Sequence, residues 1–194
     1  MIFQFKIQIK GITKPPVWRR VTIDANSSFR DLHNLIQVSF GWTFSHLYSF
    51  SQRAFSGDYS IEDPEFAGDL FGEQEAVDST KVKLKDIFKS EKQKYVYVYD
   101  FGDSWEHDIT LEKIVKDENL NIPLCITGKG QCPPEDCGGV WGYEELKEIL
   151  KDPTHPDYDN MVDWLWIDEG SEWDPNEFDV DFVNDNLRNY WIFE

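Results

Sequence analysis

Among the histidines and carboxylates of this sequence, six make a candidate set for holding a cation and relaying protons: His46, Asp100, Asp103, His107, Glu135 and Asp136. Imidazole nitrogen combined with carboxylate oxygen suits Zn, Mn or Fe. A carboxylate beside an imidazole favours the charged form of both groups, and burial opposes it. His46, Asp100, His107 and Glu135 are the candidate ligands for a divalent metal, the one cofactor these residue types suggest. Asp100, Asp103, Trp105, His107, Glu135 and Asp136 are the candidate binding residues of an acidic cleft. The structural reading of the same residues is that Asp100 and His107 satisfy one another beneath Trp105. Cys125, Cys132 and Cys137 are spaced by seven and then five, which matches neither CxxC nor the usual finger patterns. Zinc held by these three with one His competes with a plainer reading, in which Cys125 packs in the core and the other two shape a loop.

Other chemistries find less support. Gly138-Gly139 and Gly142 lead into a helix and could present N–H groups to an anion. Glu135 and Asp136 stand directly before them, and acidic capping of the helix start is the better reading. Ser104 lies three residues from His107, but strand parity puts the two on opposite faces, so no Ser-His dyad is assigned. No catalytic residue is named.

The elements that position these groups begin with Tyr95 to Glu112. Tyr95, Tyr97 and Tyr99 alternate with Val96 and Val98; Trp105, His107, Ile109 and Leu111 then alternate with polar residues. Two alternating runs around Gly102-Asp103 read as a hairpin with a two-residue turn. That register faces Val98 with His107 and Asp100 with Trp105. It makes Asp100 and His107 diagonal neighbours on one face and gathers Tyr95, Tyr97, Tyr99 and Phe101 on the other. A covered tyrosine face is core, and an open one would be an aromatic platform; the covered form is expected, since proteins seldom leave such patches bare.

Earlier in the chain, Ile2 to Ile9 and Val17 to Ile23 alternate as two strands. Ser28 and Asp31 fit a capping box, and Phe29, Leu32, Leu35, Ile36 and Phe40 have helical spacing up to Gly41. His46 to Ser51 is the next candidate strand. Residues 56–79 read as an acidic surface excursion, with Phe66, Leu70 and Phe71 as its anchors on the core, and Asp86 to Phe88 as a helical turn. Leu124 to Tyr143 reads as a loop, and helices follow at Tyr143–Leu150, Asp157–Ile167 and from Val180 onward. The expected architecture is one α+β domain over 1–194. A β-grasp-like mixed sheet with its N-terminal hairpin and helix occupies 1–115, and a mainly helical part occupies 116–194.

The chain has 194 residues, 19 basic against 37 acidic, for a net charge of −18. Five of the basic residues are Arg. Such a field repels phosphate backbones and anionic lipid surfaces, so nucleic acid is disfavoured as a partner. No run approaches the about 18 apolar residues of a membrane span. The N-terminus has no signal-peptide pattern, and three cysteines do not make a secreted disulfide framework. A cytoplasmic protein with reduced thiols is expected.

Several strings are long and specific: Val17-Trp18-Arg19-Arg20, Gly41-Trp42 with His46-Leu47, Tyr99 to Trp105 with His107, Cys132 to Gly139, and Gly142-Tyr143. On them the sequence resembles, over nearly its whole length, the plasmid pRiA-type ORF-three-like family. Some members of that family travel with insertion elements under a resolvase-like (TnpR) label. Trp173 stands before Asp174-Pro175 where the resemblance implies Phe, a tolerable aromatic exchange. The resemblance implies no established activity. A serine recombinase needs a nucleophilic Ser among several Arg and a basic DNA-binding region, and this composition excludes it. The leading expectation is a noncatalytic binding or adaptor module whose acidic cleft faces a protein or cationic ligand. The competitor is a metal-dependent enzyme with hydrolysis as its candidate reaction; a nucleic-acid regulator associated with mobile elements comes third.

Overall fold

Strict alternation makes β1 (Ile2–Ile9) and β2 (Trp18–Asp24), paired antiparallel with Phe5 opposite Val21. Phe3, Phe5, Ile7 and Ile9 point to one face and are essentially free of solvent. Each such side chain contributes roughly 1.5–3 kcal/mol by leaving water. The computed structural model describes residues 1–55, 59–63, 76–116, 122–168 and 170–193. Phe66, Leu70 and Phe71 lie outside the described residues.

Helix α1 (Phe29–Phe40) follows. Ser28 Oγ accepts from the Asp31 N–H, the Asp31 carboxylate accepts from the Ser28 N–H, and Gly41 ends the helix at φ 85°. A cap of this kind stabilises by about 1 kcal/mol, and the left-handed terminator suits glycine. The remaining elements are β3 (Tyr48–Ser51), β4 (Ser60–Glu62), β5 (Ala76–Asp78), α2 (Leu84–Ile87), β6 (Lys94–Tyr99), β7 (Trp105–Val115), β8 (Leu124–Lys129), α3 (Gly139–Lys151), α4 (Tyr158–Trp164) and α5 (Val180–Phe193).

The strands form one mixed eight-stranded sheet in the order β5-β4-β3-β6-β7-β1-β2-β8. β4 and β5 run parallel, and every other neighbouring pair is antiparallel. The α+β architecture is as expected. β1 lies between β2 and β7, antiparallel to both, an arrangement that does not by itself single out a β-grasp. Two strands interrupt the expected acidic excursion, and β8 occupies the start of the expected Leu124–Tyr143 loop.

The inner face of the sheet is aromatic. Phe29 of α1 packs against Phe50, Phe88 and Tyr95, and Phe40 meets the His107 ring edge-on at 5.3 Å. Tyr95, Tyr97 and Tyr99 are buried, so their face is core. The other face of the central strands is largely polar, tied by Arg20–Glu112 at 2.6 Å and Lys10–Glu106 at 2.5 Å. An antiparallel sheet can keep one face wet in this way. At the far edge, α5 packs on β8, where Asn184 brackets Cys125 by accepting from its N–H and donating to its C=O. Among the described residues no helix is long and apolar enough to cross a membrane.

Candidate functional site

The hairpin that organises the site is wider than the two-residue turn its glycine suggests. Tyr99 pairs with Trp105, Tyr97 with His107 and Val98 with Glu106, so five residues, 100–104, make the loop. The Ser104 N–H donates to the Asp100 C=O at 2.6 Å, closing a single helix-like turn. Asp100 and Ser104 take the left-handed backbone, at φ 53° and 55°. The one-residue change of register exchanges the faces. Trp105, His107, Ile109 and Leu111 therefore share the buried face with the tyrosines.

His107 is accordingly not beside Asp100. It lies fully buried between Phe40, Trp42 and Tyr97, with Nδ1 at 2.9 Å from the Trp105 C=O. Burial drives its pKa down to about 3. Among the described residues its Nε2 has no hydrogen-bond partner, and neither has the Trp105 indole nitrogen. Both residues belong to the core and reach no cleft, which corrects their expected place among the binding and metal-ligating groups.

The imidazole that meets the acids is His46, from the segment between α1 and β3. Its Nε2 is 3.2 Å from Asp136 Oδ1, 3.7 Å from Asp100 Oδ2 and 3.7 Å from Glu135 Oε2. One donor atom each from His46, Asp100 and Asp136 lie within 4.8 Å of one another, close enough to converge on a single ion. Among the described residues, His46 Nε2 and Glu135 Oε2 are buried without hydrogen-bond partners. Asp100 is buried, whereas the Asp136 side chain is 72% exposed and leaves one side open to solvent.

Each member is held from behind. Glu135 Oε1 accepts from the Thr43 N–H at 2.9 Å, Thr43 Oγ1 at 3.2 Å and the Tyr99 hydroxyl at 3.0 Å. Desolvation and the adjacent Glu135 charge push the Tyr99 phenol well up, so it stays a donor. Tyr99 in turn accepts from the Ser45 N–H, one residue before His46. The Trp42 indole donates to the Pro133 C=O at 2.9 Å, tying the His46 segment to the acidic loop. Asp100 Oδ1 accepts from the Gly102 N–H, leaving Oδ2 toward His46. Asp103 serves the scaffold: its Oδ2 accepts from the Gly138 N–H and anchors the hairpin loop to the start of α3.

Of the residues singled out by type, Asp100, Glu135 and Asp136 meet His46, while Asp103, Trp105 and His107 do not. Thr43 and Tyr99 were missed as positioning groups. A tyrosine in an alternating strand reads as core, which Tyr99 also is, and nothing local marks its hydroxyl as facing an acid.

Two glycines let the loop close. A Cβ on Gly142 would lie 1.8 Å from the Cys137 C=O, and one on Gly139, at φ 67°, would lie 2.6 Å from the Asp103 C=O. Gly142→Ala therefore destabilises the fold by about 3 kcal/mol or more and displaces Glu135 and Asp136. Chemical denaturation gives the first effect, and cation binding the second.

The cysteines form no metal cluster among the described residues. Burial raises the Cys125 thiol to about 11 and Cys137 to about 12, and raises Cys132 as well. All three are protonated at neutral pH. In the native protein they react with a disulfide reagent at under about a tenth of the rate of free cysteine, and denaturant restores the full rate.

Two relatives have names that carry no activity. The chain is 33% identical over 191 residues to the uncharacterized protein y4hQ of Sinorhizobium fredii (strain NBRC 101917 / NGR234), covering 98% of this chain and 94% of that one. The crystal structure of MM3350, a protein of unknown function from Methanosarcina mazei Go1, is similar at a TM-score of 0.78 and 40% identity, over 94% of this chain and 96% of that one. The family model for plasmid pRiA4b ORF-3-like proteins matches residues 1–182. The chain belongs to the plasmid pRiA4b ORF-3-like protein family.

Proposed function

We propose that this protein is a divalent-cation-binding module, with the ion held by His46, Asp100 and Asp136 and the set completed by Glu135. The observation that carries this reading is the state of His46 Nε2: buried, without a hydrogen-bond partner, and 3.2–3.7 Å from three carboxylates. A buried unsatisfied polar atom costs about 1–3 kcal/mol, and converging carboxylates repel one another. One cation relieves both. One imidazole with several carboxylates favours Mn, Fe or Zn, which narrows the expected cationic ligand to a metal ion. The Thr43 and Tyr99 bonds to Glu135 are the kind of outer contact that orients a ligating carboxylate.

A second reading, metal-dependent hydrolysis, is favoured by the exposure of Asp136, because catalytic metal sites keep one side open for water. The net charge of −18 favours cations and protein partners over nucleic acid.

The test is equilibrium dialysis of chelator-treated protein against Mn²⁺ or Zn²⁺, with metal analysis. One ion per chain is expected, lost in His46→Ala and Asp100→Asn and kept in His107→Phe. No uptake, or equal uptake in His46→Ala, overturns the proposal.

A further inference from the structure

Beside this cluster lies a cavity of about 570 Å³ bounded by the end of α1, the 131–135 loop and the 173–186 segment. Arg19 of β2 forms part of its wall and is 4% exposed. Its Nε donates to the Ser39 C=O, and Nη1 faces the carbonyls of Trp18, Lys129 and Gly130 at 3.0–3.1 Å. The guanidinium packs over the Phe40 ring at 5.0 Å and the Phe178 ring at 4.5 Å.

Two features are left unanswered by the protein. Among the described residues Arg19 Nη2 has no acceptor, and the guanidinium meets backbone carbonyls and no carboxylate. Ser39, which lines the same cavity, has a buried Oγ with no partner. Backbone carbonyls orient the cation without neutralising it. A buried, unpaired charge is costly, and an anion recovers that cost. In a chain of net charge −18, this is a local exception to the surrounding field.

The rest of the wall selects the anion. Trp42, Trp173 and Phe182 supply apolar surface, while Glu135, Glu177 and Asp179 also line the cavity and oppose a multiply charged group. The volume lies within the about 300–1,000 Å³ of small-molecule sites. We propose that the Arg19 cavity is a binding site for a small monocarboxylate with an apolar or aromatic body. Its carboxylate meets Arg19 Nη2 and Ser39 Oγ, and its body packs among the aromatic rings. The cavity shares Glu135 with the cation cluster, but its anion-binding groups, Arg19 and Ser39, are not ligands of that cluster, and the proposal holds whether or not a metal binds there.

The test is titration of the chelator-treated, full-length chain with 3-phenylpropionate and with 3-phenylpropan-1-ol, a body of similar shape without the charge. Calorimetry or tryptophan fluorescence gives the readout. The acid is expected to bind saturably, at least about tenfold more tightly than the alcohol, and at least about tenfold more weakly to Arg19→Gln, as loss of a charge-assisted bond implies. Asn186→Trp, which adds bulk to the cavity wall and leaves Arg19 itself unchanged, also abolishes binding. It decides the matter alone if Arg19→Gln fails to fold. Absence of saturable binding, equal affinity for acid and alcohol, unchanged binding in Asn186→Trp, or tighter binding of inorganic phosphate than of the acid overturns the proposal.

Discussion

His46→Ala binds a divalent ion at least about 100-fold more weakly than the parent, since even outer partners of metal ligands cost about 10–100-fold when removed. The reason is geometric. His46 is the point on which the cluster converges, 3.2 Å from Asp136 Oδ1 and 3.7 Å from both Asp100 Oδ2 and Glu135 Oε2. Removing it leaves carboxylates with no nitrogen donor among them. Tyr99→Phe acts one step back, freeing Glu135 Oε1 of one of its three bonds, and weakens the ion by about tenfold. Linkage provides an independent readout: at 100 times its Kd an ion that binds only the folded state adds about 2.7 kcal/mol of stability. Parent protein melted with and without Mn²⁺ shows that gain, and His46→Ala does not. A parent-like gain in His46→Ala would mean the ion sits elsewhere.

The second large effect is acid lability, and it comes from a histidine outside the site. Burial holds His107 to about 3, against an ordinary value near 6.5, and drives His33 down as well. Above pH 6.5 neither state binds the extra proton and the stability is fully present. Below that pH the unfolded imidazole takes a proton that the folded one refuses, so stability falls progressively until the pH passes the folded value. By linkage, His107 alone costs about 2 kcal/mol on going from pH 7.5 to 5, a large share of a typical 5–15 kcal/mol. His33 acts in the same direction. Urea unfolding at the two pH values gives the loss directly, and His107→Phe shrinks it by about 2 kcal/mol. An undiminished loss in that variant would assign the acid sensitivity to other groups.

How much of this was legible in the sequence depended on whether local signals or long-range closure set each element. α1 carries its own start and stop, Ser28 with Asp31 and then Gly41, and the structure follows them. The first two strands follow from alternation, and the burial of the tyrosine face from the rarity of bare aromatic patches. The hairpin register does not, because its loop is bent at Asp100 and Ser104, two non-glycine residues in the left-handed region, while Gly102, which suggested the turn, has no positive φ. One residue of slip then exchanges the faces and sends His107 into the core. β4 and β5 are three residues each, too short for a period to register, and β8 is an edge strand whose pairing with β2 shifts between Arg20 and Val21. At the site, residue types pointed to histidine and carboxylate. Which histidine meets the acids was settled by contacts across the chain, Trp42 to Pro133 and Thr43 to Glu135, and no local pattern encodes those. Arg19 was half legible: it alternates in phase with Val17, Val21 and Ile23, which places it on the buried face, but no local pattern encodes its packing over Phe40 and Phe178.

The proposed centre requires four side chains from three separate segments to converge on one cation. Its most direct test is a crystal of the chain soaked in Mn²⁺ and measured for anomalous scattering at the manganese edge. One strong peak is expected, within direct bonding distance of His46 Nε2 and of oxygens of Asp100 and Asp136, with Glu135 at or next to the ion. A crystal that takes up no manganese there, or that binds it only at surface carboxylates away from His46, contradicts such a centre.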